Sequence, residues 1–118
     1  MQPNFRNPSW IKEFPGAVVV SDTEGIILDM NDRAAQAFAA DGGRDLIGRN
    51  MLDCHPEPSR STLVELLAHP RINVYTVEKR GSRSLVSQAP WYENGRYAGF
   101  VEVVLPVPGE IPHIVRGG

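Results

Sequence analysis

The sequence has one cysteine in 118 residues. Cys54 alone rules out an internal disulfide framework, and no C-x-x-C pair offers a zinc site. Runs of one charge are missing too. Twelve Lys and Arg stand against fourteen Asp and Glu, a net charge of −2; with no basic stripe there is no electrostatic footprint for nucleic acid. Apolar runs stop at a few residues, as in Ala17–Val20 and Val103–Val107, far short of the ~20 that span a bilayer. Met1–Lys12 lacks the apolar core of a signal peptide, so the expected address is the cytoplasm, with no membrane span. Catalytic signatures are scarce as well. Gly42-Gly43 lacks the Lys-Ser/Thr that completes a phosphate loop, and no Ser/His/Asp ordering occurs. Asp29, Asp32, Asp53 and Glu57 fall at turns and caps, where carboxylates serve local hydrogen bonds. The chain is expected not to be an enzyme.

What remains is ordinary globular material: 42% hydrophobic and 22% charged residues, enough for one domain with a modest core. Pro8–Phe14 suits one or two helical turns, with Trp10, Ile11 and Phe14 sharing a face before Pro15-Gly16 stops it. A segment that short must dock on something. The β-branched run Ala17–Ser21, the turn residues Asp22-Thr23-Glu24-Gly25 and the run Ile26–Met30 predict a hairpin. Asn31 is placed to cap a helix over Asp32–Ala39, whose apolar face is Ala34, Ala35 and Phe38. Shorter helical turns are expected over Arg44–Ile47 and Asn50–Asp53. The two prolines of Cys54-His55-Pro56-Glu57-Pro58 exclude regular helix there. Ser59 is expected to cap a helix over Arg60–Ala68, with Leu63, Leu66 and Leu67 at helical spacing.

Three strands follow, over Ile72–Lys79, Arg83–Tyr92 and Tyr97–Val107, joined by Arg80-Gly81-Ser82 and by an Asn94-Gly95 hairpin turn. Pro90 marks an edge or a bulge. In the middle strand, Val86/Gln88 and Ser87/Ala89/Trp91 compete for the inward face, and alternation leaves the choice open. Residues 1–14 are expected to flank a domain at 15–107, and 108–118 to be a flexible tail or linker stump.

Two strands, several short helices and three strands form a recognisable order. Asp22-Thr23-Glu24-Gly25-Ile26-Ile27 looks like a first hairpin of the PAS family. Met30-Asn31-Asp32-Arg33-Ala34-Ala35 looks like its x-N-x-A-A helix start, and Leu46-Ile47-Gly48-Arg49 like its hydrophobic-Ile-Gly-basic step. Asn94-Gly95-Arg96-Tyr97-Ala98-Gly99 looks like the hairpin before its last strand. From about Pro15 to Pro106 the chain therefore resembles a PAS domain. The resemblance implies an α+β fold: a five-stranded antiparallel sheet, with short helices covering one face and enclosing a small cavity. It implies a sensory domain that binds a small molecule or cofactor and relays the event through its sheet and N-terminal segment. The other function it implies is a ligand-free module for homodimerisation or protein–protein contact.

Cys54-His55-Pro56 is similar to a Cys-His-Pro-Pro element in a PAS subgroup associated with hemerythrin-type and sensor proteins, although here Glu57 separates the prolines. The cavity residues expected on this basis are Phe38, Met51, Cys54, His55, Leu63, Leu66, Leu67, Val101 and Val103. Heme is the cofactor the resemblance admits, with His55 as iron ligand and His69 as the weaker candidate. Alternatively, His55 hydrogen-bonds loop backbone and Cys54 is a small buried hydrophobe. Flavin photochemistry is disfavoured, because Cys54 lies in Asp-Cys-His-Pro and not in an Asn-Cys-Arg-Phe-Leu-Gln type motif. Strict alternation in the last strand puts Tyr97, Gly99, Val101, Val103 and Leu105 on one face. The resemblance turns that face to the cavity. Phe100 and Val104 are then expected outside, covered by Trp10, Ile11 and Phe14 or by a second copy of the chain in a homodimer.

Overall fold

A computed structural model describes residues 8–117. Five strands form one antiparallel sheet: β1 (Ala17–Ser21), β2 (Ile27–Met30), β3 (Asn73–Lys79), β4 (Ser82–Glu93) and β5 (Arg96–Val107), in the order β2-β1-β5-β4-β3. The central pairing joins the two halves of the chain, with Ala17 opposite Val104 and Val20 opposite Val101. Its helices are α1 (Ser9–Lys12), α2 (Asp32–Ala37) and α3 (Ser59–Ala68), and three 3-10 turns lie between α2 and α3. The expected α+β architecture is the observed one. The first seven residues of the expected N-terminal flank lie outside the described residues. Pro108–Gly117 carry no helix or strand.

Local chemistry explains most boundaries. Asn31 caps α2 by accepting the Ala34 N–H. The helix ends at Ala37, two residues before the expected Ala39, because the chain tightens into a 3-10 turn over Ala39–Asp41. Arg80-Gly81 and Asn94-Gly95 take positive φ at both central positions, the geometry that matches strand twist in a two-residue hairpin. The expected Ser59 cap is corrected. The helix begins at Ser59, with Pro58 at the cap position and no side-chain bond from it. Proline has no side-chain acceptor, and Glu57 serves instead, accepting the Ser61 N–H at 2.9 Å and the Ser61 hydroxyl at 2.7 Å.

The inward face of β5 is also corrected. Tyr92 pairs with Tyr97, but Trp91 pairs with Gly99, so Ala98 is an extra residue without an opposite number. One inserted residue flips every side chain beyond it. Tyr97 and Phe100 therefore share the helix side, their rings meeting edge to face at 6.1 Å. Phe100 is buried at 4% exposure and is not an outer-face residue. Val101 and Val103 point the other way, toward Trp10, Ile11 and Phe14. In β4 the open choice resolves to Val86 and Gln88, both 5% exposed. Pro90 lies past the end of β3, whose pairing with β4 stops at Gln88.

Helices and sheet bury two apolar clusters. Ala17, Ile27, Met30, Ala34 and Leu46 form one, and Leu63, Leu66 and Phe100 the other. Met51 packs against both.

Candidate functional site

A cavity of about 100 Å³ lies between the two clusters. Its apolar wall is Val19, Ile27, Met30, Phe38, Leu46, Met51, Leu63 and Phe100. Its polar lining is Ser21, Asp41, Cys54, His55, Gln88 and Glu102. β1, β2, β4 and β5 supply the floor; α2, the 3-10 turns and α3 supply the roof.

Of the residues expected there, Phe38, Met51, Cys54, His55 and Leu63 line it. Leu66 is fully buried below, in the cluster with Leu63 and Phe100, and Leu67 packs beside that cluster. Val101 and Val103 are on the opposite side of the sheet, for the reason given by the Ala98 bulge. His69 is exposed at the C-terminal cap of α3 and does not reach the cavity. Cys54 is exposed, which corrects the buried-hydrophobe alternative.

His55 is half-buried, and its Nδ1 lies 2.7 Å from the Met51 carbonyl oxygen. A carbonyl only accepts, so Nδ1–H donates. The bond to loop backbone is the alternative foreseen for this residue, and it coexists with a place on the cavity wall.

Sequence reasoning missed the polar row on the floor. Asn73, Gln88 and Glu102 are directly opposite one another on β3, β4 and β5, and Val19 of β1 continues the row. Asn73 Nδ2 donates to Gln88 Oε1 at 2.9 Å, and Gln88 Nε2 donates to Glu102 Oε2 at 2.9 Å. Tyr75, one step along β3 on the same side, has its hydroxyl pKa raised by burial and then by the Glu102 charge. The available signal was a lone carboxylate in the apolar run Phe100–Leu105, hidden because strict alternation without the bulge assigns it to the outer face.

Heme does not fit this cavity as it stands. An apolar cavity of about 150 Å³ encloses benzene; the space here is smaller, and a porphyrin is several times larger than benzene. Among the described residues no three His, Cys, Asp or Glu side chains cluster to hold a metal ion. No helix among them is long and apolar enough to cross a membrane.

The sequence profile of the PAS fold matches residues 9–89, from α1 through most of β4. The chain belongs to the PAS family. This PAS domain also resembles solved structures. One is the PAS domain of BvgS from Bordetella pertussis, at 21% identity and a TM-score of 0.62, over 83% of this chain and 81% of that one. Another is a sensory box sensor histidine kinase from Vibrio cholerae, at 15% identity and a TM-score of 0.64, over 85% of this chain and 87% of that one. A third is the Aer2 receptor from Vibrio cholerae, described as a dual PAS-heme oxygen sensor, at 20% identity and a TM-score of 0.55, over 79% and 95%. At such identities the likeness is one of fold. A search of curated proteins finds no match.

Proposed function

We propose that this PAS domain is a sensory module whose cavity takes up a small molecule, smaller than a porphyrin, and reports its presence through the sheet. The observation that carries this is the mostly apolar space of about 100 Å³ between two packed clusters. Cores close-pack, and voids of this size are few in a domain. Val19 lines the cavity while its neighbours Val18 and Val20 face α1 on the other side. A ligand that favours one arrangement of β1 and β5 therefore shifts the population of α1 contacts. The exposed free thiol of Cys54 suits a reducing, cytoplasmic setting.

Xenon is a suitable first probe, since it enters dry apolar cavities. Under xenon pressure, amide signals of Leu46, Leu63 and Phe100 should move while those of β3 stay still. Heme titration should give no Soret band. Cavity signals unmoved by xenon, or a Soret band lost in His55→Ala, would overturn the size-limited cavity assigned here.

A second role rests on a separate observation. Val18, Val20, Val101 and Val103 form an apolar outer face, which α1 and Phe14 cover only in part, leaving a cleft of about 450 Å³. Trp10 stays 73% exposed at its rim. We read this face as a homodimer contact, compatible with sensing.

A further inference from the structure

The polar row on the cavity floor constrains what the ligand can be. An ionised carboxylate only accepts hydrogen bonds. Glu102 therefore fixes the Gln88 amide with its NH₂ group inward, 2.9 Å from Oε2. The Gln88 carbonyl must then accept, and Asn73 fills that position at 2.9 Å. Gln88 is 5% exposed, so a buried amide is committed to holding one carboxylate oxygen in place. The other oxygen, Oε1, is left for something else.

Charge narrows the choice. Glu102 and Asp41 both line the cavity, and no lysine or arginine does. Among the described residues the ion pairs engage Asp32, Glu65 and Glu78, not Glu102. An anionic ligand would meet two carboxylates with no lysine or arginine on the lining to offset them. A pure hydrocarbon would leave Glu102 without a hydrogen bond from the ligand. A compact ammonium ion with an apolar substituent satisfies both walls. Its N–H bonds are charge-assisted at Glu102, and its carbons lie against Phe38, Leu46 and Phe100.

We propose that the ligand of this cavity is a small protonated alkylamine, bound through Glu102, with Gln88 and Asn73 as positioning residues for that carboxylate. This rests on the cavity being a ligand site. Scaling from benzene in about 150 Å³ gives room for roughly four non-hydrogen atoms. Isopropylammonium, isopropanol and acetate are probes of that size with positive, neutral and negative heads.

Each is titrated against the ¹⁵N-labelled domain, following the Gln88 side-chain amide and the Leu63 and Phe100 backbone amides. Isopropylammonium should bind about tenfold or more tightly than isopropanol, the ratio a charge-assisted hydrogen bond supplies. Acetate should leave the cavity signals in place. In Glu102→Gln the amine should fall to the level of the alcohol, while xenon still enters. Equal binding of amine and alcohol by the parent overturns the inference whether or not the variant folds. So does a preference that survives Glu102→Gln. Xenon entry with no preference sinks the amine assignment and leaves the cavity reading standing; failure of every probe, xenon included, sinks both.

Discussion

Gly99 shows how one residue decides the inner face of this domain. It has φ near +140°, and a Cβ built there would lie 1.9 Å from the Ser21 carbonyl oxygen. The same carbonyl accepts the Trp91 indole N–H at 2.9 Å, and the Ser21 hydroxyl accepts the Phe100 N–H at 3.3 Å. The end of β1 thus lies directly on the bulge, and only glycine admits that approach. Gly99→Ala should cost about 3 kcal/mol or more, from positive φ and overpacking together. Gly95 also has positive φ but nothing within 4 Å of its Cβ position, so Gly95→Ala should cost only about 1–2 kcal/mol. Urea denaturation of the two variants checks this; equal losses would mean that the Ser21 contact is not what demands glycine. The Asn-Gly turn was legible in the sequence because its chemistry is local. The bulge three residues later was not, because its cause is a strand near the other end of the chain. From that one residue followed the misplacement of Val101, Val103 and Phe100. Phe38 and Leu63, placed on the apolar faces of helices, and Met51, placed in a short helical turn, were unaffected.

Between elements, Asn31 is the principal joint. It is 1% exposed, and its side chain makes four bonds. Oδ1 accepts the N–H groups of Val18 at 2.9 Å and Ala34 at 3.1 Å. Nδ2 donates to the carbonyls of Gly16 at 2.8 Å and Ile11 at 3.1 Å. One amide therefore caps α2, secures the start of β1 and tethers α1. The capping half of this was readable from sequence position; the tether was not, since it depends on where α1 docks. Next to it, Lys12 pairs with Asp32 at 3.0 Å, and Arg44 pairs with the same carboxylate. The Lys12 hydrogen bond, above all, holds the Asp32 pKa below the ordinary carboxylate range. A depressed carboxyl pKa contributes stability above its unfolded value and loses it as pH falls through the folded one. The exposed Lys12 tether therefore persists through mild acid but adds little energy, and Asn31 remains the stronger link. Asn31→Ala should lower stability by about 2–4 kcal/mol, from a lost cap and stranded buried partners. Hydrogen exchange should quicken at Val18 and Phe14 together. Faster exchange at Ala34 alone would reduce Asn31 to a helix cap.

For the molecule as a whole, the sheet is a partition with a cavity on one side and a partly covered apolar face on the other. The residues on the two sides are adjacent in sequence: Val18 and Val19 on β1, Val101 and Glu102 on β5. Any shift of these strands is felt on both faces, which is the geometry a relay needs. The outer face is also the contact between copies proposed above. Expecting Phe100 there made it the natural position for a charge insertion, but Phe100 is core, and a glutamate there would test stability alone. Val103 is the informative site, being half-exposed beside Ile11 and Phe14. If two copies meet through this face, sedimentation of the parent should give a dimer mass. Val103→Glu should weaken it tenfold or more, since an unpaired carboxylate buried in a contact costs about 1–3 kcal/mol or above. The variant should melt near the parent's monomer value and still admit xenon, because its cavity wall is unchanged. A parent that sediments as a monomer at every loading, or a Val103→Glu protein that remains dimeric, would remove the outer face as the contact and leave α1 a cover for a single chain.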